Sequence, residues 1–176
     1  KKKIGNLVSF ELFYYNTLGG AMGINSFGFC HSANTLFSQD KQIGIPRNFS
    51  SRYLLDSKKP SEALEYLSKL KRVCGYSQNI VNLKGEVLNA EITSNNIYIS
   101  HPSLPFVHTN NCLLDGSIAT NDFHGSISRY NYAKDKVREN MTINDIKMLV
   151  SDTSLGGNQS VENERTVGKS IVDIRN

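Results

Sequence analysis

The opening of the chain is patterned for strands. Residues 6–16 are rich in Phe, Tyr and Val, and two further apolar runs at 19–24 and 27–37 flank the turn signal Asn25-Ser26-Phe27-Gly28. A hairpin is expected there, with its glycines marking close approach of backbones. After a polar loop at 38–48, residues 49–56 are a short helix candidate. Residues 59–72 then carry the clearest helical pattern: Pro60 sits in the first turn, Glu62 follows it, and Ala63, Leu64, Leu67 and Leu70 share one face.

From residue 79 the period changes to two. The runs 79–83 and 86–92 meet at Lys84-Gly85, and 96–100 follows a turn at 93–96, which describes an antiparallel meander. A further strand is expected at 106–111, ending where 112–122 becomes loop. Residues 128–140 are helical in composition, and a new helix begins at Thr142, an N-cap with Asp145 three residues on. A polar loop at 153–164 leads to a last expected strand at 165–174. Strands, helices, strands, helices and a strand suggest an α+β fold in which antiparallel sheet is covered by helices. With 176 residues and no internal repeat, the chain is expected to form a single domain, 1–176.

Composition narrows the function classes. The chain is 39% hydrophobic and has no apolar window long enough to span a bilayer, so no membrane role is expected. Its net charge is +4, but Lys1, Lys2 and Lys3 supply three of those cations and the rest mix with acids, which is too dilute for nucleic acid. Cys30, Cys74 and Cys112 are odd in number and widely spaced, unlike a disulfide framework or a zinc site. That usage fits a reducing, cytoplasmic setting. The chain opens at Lys1 without a methionine or a signal-peptide pattern, and so reads as a fragment or a processed product.

The stretch Phe106 to Asp115 draws attention because it holds His108 and Cys112 with Asn110 and Asn111 between them. As a strand it would place Phe106, His108 and Asn110 on one face. A catalytic Cys–His pair needs hydrogen-bond reach and an electropositive setting, and this spacing guarantees neither. A small buried hydrophobe is the commoner role for Cys112, as for Cys30 and Cys74. An asparagine amide can instead donate to the oxygen of a tetrahedral intermediate. Asn110 suits that use, although a turn asparagine bonding its own backbone is commoner, and the same two readings apply to Asn34. Arg52 and Arg129 lie near expected helix starts, an unfavourable place for a cation, and default to solvated side chains. His31, His101, His108 and His124 show no ligand spacing and are expected at the surface or in packing. Serine-hydrolase, phosphate-loop and zinc-protease motifs are absent.

Several blocks in order resemble one family: LGGAMGINSFGFCHSANTL, PRNFSSRYLLDSKKPSEALEYL, NIVNLKGEVLNAEIT, FVHTNNCLLD, SISRYNYAKD and RTVGKSIVDI. Together they look like the acyl-coenzyme A:6-aminopenicillanate acyltransferase family, related to the choloylglycine hydrolases and penicillin V acylases of the N-terminal nucleophile hydrolase superfamily. The resemblance implies an αββα four-layer sandwich and hydrolysis of, or acyl transfer at, a linear amide bond. It implies a cysteine nucleophile at the mature N-terminus whose own α-amino group is the base. Asn110 resembles an oxyanion-hole donor, Asn34 its companion, and Arg129 the arginine near the nucleophilic sulfur.

The resemblance departs in one respect. The family's nucleophile lies a few dozen residues upstream of the GGAMGIN block, whereas eighteen residues precede Gly19 here. The nucleophile is therefore expected before Lys1, with the fold incomplete at both ends and these 176 residues inactive by themselves. The full-length product would act on a small-molecule acyl amide or acyl donor without a cofactor. The alternative is a non-catalytic family member acting as a small-molecule-binding or structural protein. The acyl group, the choice between water and an amine as acceptor, and the oligomeric state, a homo-oligomer included, stay open.

Overall fold

A computed structural model describes residues 1–12, 17–114 and 123–174. The chain folds as two compact units. The first comprises Lys1–Pro102, Cys112–Ala119 and Asp173–Asn176, and the second Ser103–Asn111 with Thr120–Val172. The expected strand residues 13–16 and the expected loop residues 115–122 lie outside the described residues.

The first unit is built on one antiparallel sheet whose seven strands follow each other in chain order. They are β1 (Lys2–Ile4), β2 (Leu7–Leu12), β3 (Met22–Asn25), β4 (Phe29–Thr35), β5 (Tyr76–Asn82), β6 (Val87–Ile92) and β7 (Ile97–Ser100). Both expected features, the early hairpin and the later meander, are present as β3–β4 and β5–β7. Glycine serves close approach where expected: a Cβ on Gly20 would lie 2.1 Å from the Leu12 carbonyl oxygen. Between β4 and β5 the chain inserts α1 (Arg47–Leu55) and α2 (Pro60–Ser68), and Pro60 opens α2 as its pattern predicts.

The helices cover one face of the sheet. Leu54, Ala63 and Leu64 meet Phe29, Tyr76, Ile80, Ala90 and Ile92, all buried, and each buried leucine contributes about 1.5–3 kcal/mol. Strand alternation sends the intervening residues, among them Asn34, Ser77, Asn79, Asn89 and Glu91, to the opposite face. The sheet thus has an apolar side and, across β4–β6, a side rich in amides.

Two buried arginines tie the helices down. Arg52 is not solvated as its position suggests: Nη1 donates to Glu11 at 2.8 Å, Nε to Asp56 at 2.9 Å and Nη2 to Ser9 at 3.1 Å, so α1 is clamped to β2. Burial works against charge on Asp56, but hydrogen bonds from Arg52 and Lys2 outweigh it and hold the carboxyl below its usual range. Arg72 is 1% exposed. It donates to the carbonyls of Leu67, Leu70 (2.7 Å) and Thr93 (3.1 Å). A cation there faces the carbonyl end of α2, where the helix dipole favours it.

The second unit contains α3 (Ser126–Lys136) and α4 (Ile143–Val150). The expected cap is complete: Thr142 Oγ1 accepts from Asp145 N at 3.2 Å and Asp145 Oδ2 accepts from Thr142 N at 2.8 Å. Two expected strands are not formed. Residues 106–111 are irregular because Thr109, Asn111 and Ser126 bond one another and the backbone through side chains, in place of a ladder. Residues 165–174 form no strand either. Val167 is 83% exposed there, and β-branched residues hold a strand only where a neighbour pairs and packs with them. Among the described residues no helix is long and apolar enough to cross a membrane.

His31 gives the first unit a pH dependence. It is buried under α1, with Nδ1 2.9 Å from Gln78 Oε1, and burial pulls its pKa below the ordinary value. The unfolded imidazole, with a pKa of about 6.5, takes up a proton that the folded one resists. This contribution to stability is complete above pH 6.5 and is lost as pH falls toward the lower folded value. The thermal midpoint is expected to fall between pH 7 and pH 5, and to fall less in His31→Gln. An equal decline in the variant would contradict the assignment to His31.

Candidate active site

The segment 108–111 is shaped by its hydroxyl and amide groups. Thr109 Oγ1 donates to Asn111 Oδ1 at 2.6 Å, and the Asn110 amide N–H donates to Ser126 Oγ at 2.8 Å. Ser126, fully buried, also donates to Asn111 Oδ1 at 3.1 Å. Because Ser126 is the first residue of α3, this segment is fixed beside the start of that helix.

Arg129 lies one turn further along α3. Its Nη2 donates to Asn110 Oδ1 at 3.1 Å, while Nη1 donates to the Asn158 carbonyl at 2.5 Å and to that of His124. A guanidinium in a first helical turn is opposed by the dipole, and the oxygens of residues 110, 124 and 158 offset that. The His124 carbonyl reaches it from a left-handed backbone, φ 49° and ψ 48°, followed by Gly125 at φ 71°. Non-glycine residues seldom adopt this conformation. The result is a polar cleft of about 260 Å³ lined by Asn110, His124, Arg129, Asn163 and Arg165, among others.

With its oxygen held by Arg129, the Asn110 amide is oriented: the Nδ2 hydrogens point away from the guanidinium. Asn34, in the first unit, is held in the same sense. Its Oδ1 accepts from Asn79 Nδ2 at 2.9 Å. Both amides that the sequence singles out are therefore anchored through their oxygens. The structure brings Asn110 and Arg129 together within one unit and places Asn34 on β4 of the other.

The cysteines have other surroundings. Cys112 Sγ donates to Glu91 Oε2 at 2.6 Å, and the same buried carboxylate accepts from the backbone N–H groups of Leu113 (2.6 Å) and Leu114 (2.8 Å). A neighbouring carboxylate disfavours a thiolate, which a nucleophile requires. His108 Nδ1 is 2.6 Å from the Thr109 carbonyl oxygen. Burial pushes the Cys30 thiol above its ordinary pKa. Among the described residues no group of three or more His, Cys, Asp or Glu could hold a metal ion.

Sequence reasoning missed Asn158, Arg165, Asn79 and the carbonyl of His124. A backbone carbonyl has no sequence signature, and Asn158 acts through one. Asn79 could have been found, because its place in the alternation of β5 puts it on the Asn34 face.

A family model, described as acyl-coenzyme A:6-aminopenicillanic acid acyl-transferase, matches residues 3–168. No curated protein sequence matches significantly. Among solved structures, penicillin V acylase from Agrobacterium tumefaciens is similar with a TM-score of 0.51 at 16% identity, over 85% of this chain and 55% of that one. A variant of conjugated bile acid hydrolase from Clostridium perfringens aligns with a TM-score of 0.44 at 16% identity, over 75% of this chain and 43% of that one. The chain thus spans about half the length of these solved relatives, and at this identity the first likeness concerns the fold alone.

The left-handed link before α3 yields a test. At Gly125 a Cβ would be strained by φ and would lie 2.7 Å from the Asn158 carbonyl oxygen, an acceptor for Arg129. Gly125→Ala is expected to cost about 1–2 kcal/mol from backbone conformation alone, read as a lower thermal midpoint. Gly168→Ala, in open space at an ordinary φ, should leave the midpoint unchanged. Equal midpoints for the two variants would refute the constraint at Gly125.

Proposed function

This chain belongs to the acyl-coenzyme A:6-aminopenicillanic acid acyl-transferase family, and from that premise we propose that its full-length gene product moves an acyl group from a small-molecule donor to water or an amine. The donor is a linear amide or a thioester. The nucleophile is an N-terminal cysteine outside these 176 residues, with its own α-amino group as base. The complete fold is an αββα sandwich.

In this reading the cysteine sulfur attacks the acyl carbonyl carbon, and the carbonyl oxygen becomes an oxyanion. The α-amino group has taken the thiol proton; the C–N bond of an amide donor, or the C–S bond of a thioester donor, then breaks as the leaving nitrogen or sulfur takes that proton, and an acyl-cysteine thioester remains. Water or an amine attacks that thioester, and the thiolate departs with the acyl group passed on. Asn110 and Asn34 donate their Nδ2 hydrogens to the oxyanion. Arg129 acts on Asn110: by holding Oδ1 and two carbonyls it fixes the oxygen end of the amide against the guanidinium.

The observation that supports this best is that each amide, within its own unit, is anchored through its oxygen: Asn34 by Asn79 and Asn110 by Arg129. An amide presenting its oxygen to an oxyanion would repel it, whereas one presenting NH₂ stabilises it. No part of the scheme requires a metal or an organic cofactor, since nucleophile, base and donors are all protein groups. The acyl amide of penicillin V and an acyl-coenzyme A with 6-aminopenicillanic acid are suitable first substrates, given the names of the relatives.

The test is steady-state kinetics of the full-length gene product. Asn110→Ala is expected to lower kcat by about 10²–10³-fold with KM changed little, as for other lost oxyanion donors. Asn110→Asp, which keeps the shape and the Arg129 partner but cannot donate, should lose at least as much. Retention of kcat in both variants would exclude Asn110 from the reaction.

A further inference from the structure

Asn34 ends a directed row of side-chain amides. In register, Asn34 faces Ser77 and Ser32 faces Asn79 across β4–β5, while Asn79 faces Asn89 across β5–β6. All lie on the side of the sheet away from α1 and α2. Asn89 Nδ2 donates to Ser77 Oγ at 2.7 Å and to Asn79 Oδ1 at 2.8 Å, and Asn79 Nδ2 donates to Asn34 Oδ1 at 2.9 Å. Asn34 Nδ2 has no protein partner among the described residues.

The direction of the row follows from Asn89. That residue is 1% exposed, and its Oδ1 is buried without a partner. If every amide in the row were reversed, the Asn89 NH₂ group would occupy that place instead. Buried donors without partners are rarer than under-satisfied carbonyl oxygens, so the row runs from Asn89 through Asn79 to Asn34.

We propose that Asn79, supported by Asn89, is a positioning residue for the acyl-transfer reaction: it holds the Asn34 amide oxygen so that the amide hydrogens face the developing oxyanion. This rests on the reading of Asn34 as an oxyanion donor. An asparagine amide rotates about a broad, roughly two-fold torsion, and half a turn exchanges donor for acceptor. A donor on Oδ1 removes that freedom. Donation into the oxygen also polarises the amide and strengthens the bonds its N–H groups make.

Positioning by Asn79 differs from mere packing in a way that can be measured. Asn79→Asp keeps the side-chain shape and still accepts from Asn89, but a carboxylate cannot donate to Asn34 Oδ1. The Asn34 amide would turn to donate to Asp, and its donor end would be lost to the reaction. Asn79→Ala removes more atoms but only releases the amide. If the role were packing, the alanine variant would be the more damaged of the two.

The experiment compares Asn34→Ala, Asn79→Asp, Asn79→Ala and the Asn34→Ala/Asn79→Asp double variant in the full-length gene product, with kcat, KM and thermal midpoints. Asn79→Asp is expected to lose about 10²–10³-fold in kcat, close to Asn34→Ala, as befits a lost oxyanion donor. Its KM should change little. Asn79→Ala should lose only roughly two- to tenfold, because a freely turning amide still samples the donor-outward orientation. The double variant should be no slower than Asn34→Ala. Retained kcat in Asn79→Asp alongside loss in Asn34→Ala, or additive losses in the double variant, would overturn the positioning role and leave the proposed function standing. Retained kcat in Asn34→Ala would overturn both. If Asn79→Asp does not fold, the Asn79→Ala kcat decides: a small loss with unchanged KM supports the role, and no loss overturns it.

Discussion

Strands β4, β5 and β6 repeat every two residues, and their two faces serve opposite ends. One must be apolar enough to hold α1 and α2, and Phe29, Tyr76, Ile80, Ala90 and Ile92 make it so. The other is then free to carry side chains a core would reject. Asn34, Asn79 and Asn89 occupy it, and adjacent strands bring their amides within hydrogen-bond reach. A one-residue slip in register would exchange the faces and put amides under the helices. The seating of the helices and the orientation of Asn34 therefore depend on the same register.

Cations held by oxygens recur as the device that orders the rest. Arg52 clamps α1 to β2 through Glu11, Ser9 and Asp56. Arg72 joins the end of α2 to the turn after β6 through carbonyls alone. In the second unit Arg129 gathers Asn110 with two carbonyls. A guanidinium suits this work because its planar donors have fixed directions and its charge persists when buried. In each case removal would leave several acceptors without donors, which costs more than the bonds themselves contribute.

Much of the fold was legible in the sequence where its elements are local. The α2 pattern from Pro60 to Leu67, the Thr142–Asp145 cap and the meander after Asn79 each depend on residues a few positions apart. The failures were at segments whose state depends on distant partners. Residues 106–111 have strand composition, but Ser126 and α3 determine their path. Arg52 is buried because Glu11, 41 residues away in sequence, pairs with it. Asn110, Asn34 and Arg129 were singled out as site candidates only through ordered family blocks, since an isolated asparagine is usually a turn residue. Their hydrogen-bond partners, which set which end of each amide is offered, came only from the fold.

The central claim is that the product containing this chain carries an acyl group covalently during turnover. Intact-protein and peptide mass spectrometry of the full-length product, acid-quenched within milliseconds of mixing with an acyl-amide substrate, tests it directly. The account predicts a mass gain equal to the acyl group on the N-terminal cysteine, with Cys30, Cys74 and Cys112 unmodified. An acyl group on any of those three, or turnover with no covalent adduct, would contradict the account.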